Sequence, residues 1–202
     1  MNSIMVALTP KQCKLIEEGK QTALAFKTGP KLEPPFRVYM YCKKTRILGE
    51  LLVRNGELVA QNRGFRETGD VPAAGKVIGE FICNRTQHYS TASYKDAATT
   101  SDKEVEKCIR LTYSELMQYE SDCSFFIIKV TSPQFYLQPK ELNNFRKPYS
   151  YDSEGFVICP HSFCPFIDND GHYKFKCDNC PSLLNSLTIT RAPAPWIYCT
   201  VI

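Results

Sequence analysis

The sequence lacks what would place it in a membrane or mark it for export. None of its 202 residues fall in a run of the roughly 20 apolar side chains that a bilayer span requires. Met1 to Lys14 has neither the basic start nor the apolar centre of a secretory signal. The two absences lead us to expect a cytoplasmic protein with no membrane partner. Low-complexity tracts and internal repeats are missing as well, which leaves an ordinary globular composition. So are the common catalytic templates: there is no Gly-x-Ser-x-Gly, no phosphate-cradling glycine loop and no His-Glu-x-x-His. Cys13 and Cys42 have no histidine near them in sequence, and His88 and His172 sit in polar stretches that suggest no role.

What is present leans towards β structure. Aromatic residues make up 12 % of the chain and are almost all Tyr and Phe, which suit pleated, half-buried surfaces. A net charge of +4 is too small to imply a nucleic-acid ligand by itself. Its distribution says more. From Met1 to Arg46 there are nine basic residues against three acidic ones, so this segment carries more than the whole excess. Such a patch invites phosphate, and equally describes a solvated face.

Several elements are legible. Thr9 as N-cap, Pro10 at the first helical position and Gly19 as terminator predict a helix near Thr9 to Glu18. Strands are expected at Thr22 to Phe26, Phe36 to Cys42, Gly75 to Cys83, Ser124 to Val130 and Ile197 to Ile202. Glu50 to Gln61 reads as a hairpin turning at Asn55-Gly56. Thr86 to Asp102 is polar and reads as a long loop, and Asp102 to Arg110 as a short helix. Thr112 and Glu115 make a capping box for a helix to Tyr119. Glu141 to Arg146 reads as a helical turn stopped by Pro148. This order favours an α+β fold: a closed or half-closed mixed β-barrel with flanking helices.

Of the ten cysteines, Cys13, Cys42, Cys83, Cys108, Cys123 and Cys199 are scattered through apolar contexts and read as buried free thiols. The other four are grouped. Cys177-x-x-Cys180 lets two thiolates hold one metal from a tight turn. Cys159 and Cys164 form a looser pair, with His161 between them as a rival ligand. Four soft ligands in two pairs suit a closed, structural zinc site, with unligated or redox-active thiols as the alternative. We therefore expect residues 149–186 to be a zinc-binding insertion in a barrel made of residues 1–148 and 187–202. A closed site leaves no position for a catalytic water.

A set of short blocks resembles the ASCH domain family, in the branch associated with phages and Firmicutes. They begin with Leu8-Thr9-Pro10-Lys11-Gln12-Cys13 and Ile16-Glu17-Glu18-Gly19-Lys20-Gln21-Thr22. Lys27-Thr28-Gly29-Pro30-Lys31 and Val38-Tyr39-Met40-Tyr41-Cys42 come next. Gly75-Lys76-Val77-Ile78-Gly79-Glu80-Phe81, Pro139-Lys140-Glu141-Leu142 and Phe145-Arg146-Lys147-Pro148 then follow in the family's order, and Arg191-Ala192-Pro193 with Trp196 and Tyr198 closes the set. The resemblance implies a PUA-like barrel with a cleft beside the first helix, a fold thought to bind RNA or nucleotides. Some members hydrolyse N4-acylated cytidine with a lysine, a threonine and a glutamate. The family signature is Gly-x-Lys-x-x-Glu-x-Arg, and at its four fixed positions this chain carries Gly19, Gln21, Leu24 and Phe26. The lysine position falls on Gln21 and the threonine on Leu24, while the glutamate falls on Glu80. A neutral amide cannot serve as base, and leucine offers no hydroxyl. Hydrolysis by the family's route is therefore not expected.

The resemblance and the charge pattern together nominate ligand-binding residues. Lys20, Lys27 and Lys31 are candidates for phosphate, against a reading as plain solvated lysines. Tyr41 and Trp196 are candidates to stack on a base, with barrel core as the alternative for Tyr41. Gln21, Glu80, Arg146 and Lys147 are expected to line the same cleft, with a simple outward-facing carboxylate as the alternative for Glu80 and a helix-end charge interaction as that for Arg146 and Lys147. The sequence thus suggests a non-catalytic module binding RNA, single-stranded nucleic acid or a modified nucleotide. An amidohydrolase acting on acylated cytidine, with Glu80 and Gln21 in its site, is the first alternative. A phage-encoded module gripping a host protein through the zinc insertion is the second.

Overall fold

The computed structural model describes residues 3–44, 49–62, 67–90, 100–111, 115, 124–148, 185 and 187–201. Its central element is one that periodicity does not announce. β1, Ser3–Leu8, is buried at every position. A strand covered on both faces reads as a continuous apolar run, here Ile-Met-Val-Ala-Leu, which no alternation separates from a helix. β1 runs parallel to β3 (Phe36–Cys42) and antiparallel to β12 (Trp196–Val201). With β7 (Val77–Cys83), β10 (Thr131–Lys140) and β11 (Phe145–Arg146) they form a six-stranded sheet ordered β10-β7-β3-β1-β12-β11.

A parallel pair needs a crossover, and α1 (Pro10–Glu17) with β2 (Ala23–Phe26) lies in the one joining β1 to β3. Thr9 caps the helix reciprocally: its hydroxyl accepts from the Gln12 N–H at 3.2 Å, and the Gln12 side-chain oxygen accepts from the Thr9 N–H at 2.9 Å. The chain leaves α1 through Gly19 in the left-handed region at φ +66°. β2 then pairs with β9 (Ser124–Lys129), and β9 with β8 (Thr86–Ser90), to make a second sheet. α2 (Thr100–Ile109) covers that sheet, with Ile109 buried against Ala23, Phe125 and Ile127. The third sheet is the hairpin β4 (Gly49–Arg54) and β5 (Glu57–Asn62) with the short β6 (Val71–Pro72). Asn55 and Gly56 both have positive φ, as a type I′ turn requires.

One core joins all three sheets. Ile4, Val6, Leu8, Val38, Met40, Ile78 and Phe81 from the main sheet meet Leu24, Phe26 and Ile128 from the second, Leu51, Val53 and Leu58 from the third, and Cys13 and Ile16 from α1. We call this side of the six-stranded sheet its inner face. The outer face has a separate core of Met5, Ala7, Tyr39, Tyr41, Val77, Phe145, Ile189 and Cys199. The described residues are mostly β with few helices. No helix among the described residues is long and apolar enough to cross a membrane.

Several expectations are corrected. Thr86 to Asp102 is not all loop: β8 occupies Thr86–Ser90, and α2 begins at Thr100. The polar sequence Thr-Gln-His-Tyr-Ser becomes a strand because β9 supplies its ladder partners. The helical turn expected at Glu141 to Arg146 shrinks to a 3-10 turn at Leu142–Asn144, after which Phe145 enters β11. β10 contains Pro133 and Pro139, which argue against a strand, yet it lies at the sheet edge where a missing donor is tolerated. Apart from Glu115, the helix expected from Thr112 to Tyr119 lies outside the described residues, as does nearly all of 149–186. On either side of that segment the chain lies against itself: the Lys147 N–H donates to the Leu187 carbonyl at 2.8 Å, and the Ile189 N–H to that of Phe145 at 2.9 Å.

Candidate functional site

One basic surface among the described residues is the loop that leaves β2. Lys27 and Lys31 are exposed, and the backbone between them is held at three points. The Trp196 indole N–H donates to the Thr28 carbonyl at 2.9 Å. The Lys31 N–H donates to the Tyr198 hydroxyl at 2.7 Å. Gly29 lies against the ring of Phe126, so close that a Cβ there would sit 2.3 Å from a ring carbon. Only glycine permits that approach.

Aromatic rings form the rim beneath this loop. Trp196 and Tyr198 meet edge to face with centroids 5.1 Å apart. Phe126 meets the exposed imidazole of His88 at 4.7 Å. Trp196 and Tyr198 alternate with outer-face residues along β12 and pack on the edge of the inner core. None of His88, Phe126 and Tyr198 was nominated as a ligand contact from sequence: His88 suggested no role, and Tyr198 only closed a family block. The pairing of β8 with β9, which puts His88 opposite Phe126, is a tertiary fact.

Lys20 lies at the other end of β2 from Lys27. Its side chain is 57 % exposed and its ammonium pairs with Glu18 at 2.6 Å, which holds the Glu18 carboxyl below its ordinary range. Its carbonyl accepts from Arg110 Nε at 2.8 Å. The residues at the family's lysine and threonine positions are interior. Gln21 is 3 % exposed and donates to the Ala23 carbonyl at 3.2 Å, while its own Oε1 is buried with no partner among the described residues. Leu24 is packed in the inner core.

Glu80 corrects the expectation of a single cleft. In the ladder between β3 and β7, Val38 opposes Phe81 and both point into the inner core. Tyr39 opposes Glu80 one residue along, on the outer face. Glu80 therefore projects away from α1, Gln21 and the lysine loop. There it pairs with Arg37, and its second oxygen accepts a hydrogen bond from the Tyr136 hydroxyl. Burial, then the hydrogen bond to this carboxylate, pushes the Tyr136 phenol far above its ordinary value. An open cleft of about 390 Å³ adjoins the pair, lined by Arg37, Glu80, Asn84, Thr131, Ser132 and Gln134 over Phe81 and Ile82.

Two further candidates move away from ligand. Tyr41 is 4 % exposed within the outer-face core, so its ring cannot stack on a base. Arg146 lies on β11, the sheet edge opposite β10, and cannot line a cleft with Glu80. Its Nε is buried without a partner among the described residues. Cys159, Cys164, Cys177, Cys180 and His161 lie outside the described residues. Among the described residues no group of three or more His, Cys, Asp or Glu side chains could hold a metal ion. Cys13, Cys42, Cys83 and Cys199 are buried free thiols and Cys108 is half-buried.

No family model matches the chain, and no curated protein matches it. Among solved structures it is similar to the crystal structure of ASCH from Zymomonas mobilis, at 15 % identity and a TM-score of 0.45, over 69 % of this chain and 73 % of that one. A point mutant of the Zymomonas mobilis protein matches at 14 % identity and a TM-score of 0.45, over 70 % of this chain and 77 % of that one. At that distance the likeness carries no weight for function.

Proposed function

We propose that the chain is a PUA-like module of the ASCH kind that binds single-stranded nucleic acid, RNA in the first instance, without catalysing a reaction on it. The observation that carries this reading is the pinned Lys27–Lys31 loop. Two exposed ammonium groups stand on a backbone held by Trp196, Tyr198 and Phe126. Lysines placed on an ordered loop meet phosphate at less entropic cost than lysines on a floppy one. The neighbouring rings supply faces and edges on which bases settle without sequence preference. The family blocks, in the family's order, support the same reading. No catalytic step belongs to it, because the lysine and threonine positions are a buried amide and a buried leucine.

The test is fluorescence anisotropy with a mixed-sequence single-stranded RNA at several salt concentrations. Binding should weaken as salt rises, and Lys27→Ala with Lys31→Ala should lower affinity by about tenfold or more. The same pair should reduce the magnitude of the log–log salt slope by roughly 0.7 for each phosphate that is no longer neutralised. An affinity indifferent both to salt and to the two substitutions would overturn the reading.

A further inference from the structure

The cleft on the outer face belongs to a different site from the lysine loop. We propose that it binds a neutral vicinal diol, such as that of a free sugar or of the ribose in a nucleoside. The inference does not depend on RNA binding at Lys27 and Lys31.

Its chemistry follows from the lining. Arg37 and Glu80 form an ion pair within the lining, so neither presents an uncompensated charge. That argues against a phosphate or a free cation as the occupant. The remaining lining is an amide at Asn84, hydroxyls at Thr131 and Ser132, an amide at Gln134, and the apolar Phe81 and Ile82. That mixture suits a ligand carrying several hydrogen-bonding groups on a carbon frame. A guanidinium beside a carboxylate offers donor and acceptor side by side. The carboxylate has about four lone-pair sites, and Arg37 and Tyr136 use only some of them. A hydroxyl both donates and accepts. Two on adjacent carbons can therefore give a hydrogen to Glu80 and receive one from Arg37 at the same time.

The pair is also held in place. Tyr136 fixes one carboxylate oxygen, and the Lys140 ammonium lies 4.4 Å above the Tyr136 ring. Tyr39 stands directly across from Glu80 in the ladder, its own ring braced edge-on by Phe145 at 4.9 Å. β10 departs from its regular register between Thr131 and Gln134, and Ser132 sits in the left-handed region at φ +46°. Bulges and such conformations gather at functional sites, where they re-aim side chains. Here the irregularity places Ser132 on the rim of the cleft. Gly79 lets β10 lie flush beneath it, since a Cβ there would come within 2.3 Å of the Gln134 carbonyl oxygen.

The experiment uses the full chain, titrated with adenosine and with glucose and followed by amide chemical shifts. Saturable, millimolar shifts at Glu80 to Asn84 and Thr131 to Gln134 are expected with one of the two, and that probe names the source of the diol. Its 2′-deoxy or 2-deoxy analogue, lacking one hydroxyl, should bind about tenfold more weakly, the loss expected for one hydrogen bond to a charged group. Glu80→Gln should weaken binding similarly. Gln134→Ala, at an exposed rim position and so harmless to folding, should weaken it several-fold. The diol site is wrong if neither probe shifts these amides up to about 50 mM, if the deoxy analogue binds equally well, or if Gln134→Ala is without effect. Lys27→Ala with Lys31→Ala should leave diol affinity unchanged, so failure of the RNA reading is distinguishable from failure of this one.

Discussion

The two faces of the six-stranded sheet are filled by different chemistry, although the same strands build both. On the inner face, between the three sheets and α1, the main sheet presents Ile4, Val6, Leu8, Val38, Met40, Ile78 and Phe81. On the outer face, Met5, Ala7, Val77 and Ile189 are joined by Tyr39, Tyr41, Phe145 and Cys199. That layer then opens into the charged group of Arg37, Glu80 and Tyr136. The alternation along β3 and β7 separates the two: Val38 and Phe81 point one way, Tyr39 and Glu80 the other. A sheet covered on both faces can thus assign stability to one side and an ordered polar arrangement to the other.

The difference can be broken by experiment. Phe81 is among the largest side chains fully buried in the inner core. Phe81→Ala should cost about 3–5 kcal/mol in urea unfolding, because no neighbouring chain can collapse into so large a void. A loss near 1 kcal/mol would mean that the inner face does not carry the stability.

Cys199 tests whether the outer face is sealed. Burial pushes its thiol up to about 12, against an ordinary value near 8.5. Because the neutral thiol is the form favoured in the fold, its contribution is intact below the ordinary value and is lost as pH rises towards 12. Wild type should lose roughly 3 kcal/mol more than Cys199→Ala between pH 8 and pH 11. Equal losses would show that water reaches this thiol and that the outer layer is loose.

The smallest of the three effects is expected at Glu80. Arg37 is 36 % exposed, so solvent screens the ion pair, and the Tyr136 hydroxyl has only one charged partner to lose. Glu80→Ala should cost about 1–2 kcal/mol by the same unfolding measurement. A cost as large as that of Phe81→Ala would make the polar cluster a structural keystone and erase the contrast between the faces.

Much of the local structure was legible before any coordinates. The Thr9 N-cap and the Asn55-Gly56 turn depend on neighbours within a few residues, the strand at Phe36 to Cys42 is marked by its own apolar and aromatic run, and all three appear as read. The failures share one cause. β1, β8 and β10 owe their existence to partners distant in sequence: Val6 to Trp196, His88 to Phe126, Gln134 to Glu80. No local pattern encodes such pairings. The candidate site suffered in the same way. Glu80, Lys20, Lys27 and Trp196 were grouped by their order in the family blocks, but order along the chain does not say which face of a strand a residue occupies.

The sequence alone determined the chemistry available to this protein: a basic first quarter, an amide and a leucine at the positions of a lysine and a threonine, and a carboxylate in an apolar strand. The tertiary structure decided how that chemistry is shared out. It buried Gln21 and Leu24, pinned the Lys27–Lys31 loop to Trp196, Tyr198 and Phe126, and turned Glu80 to the opposite side of the main sheet. The physical reason is the two-residue period of a strand, by which one step of register separates a residue in the core from one beside a cleft.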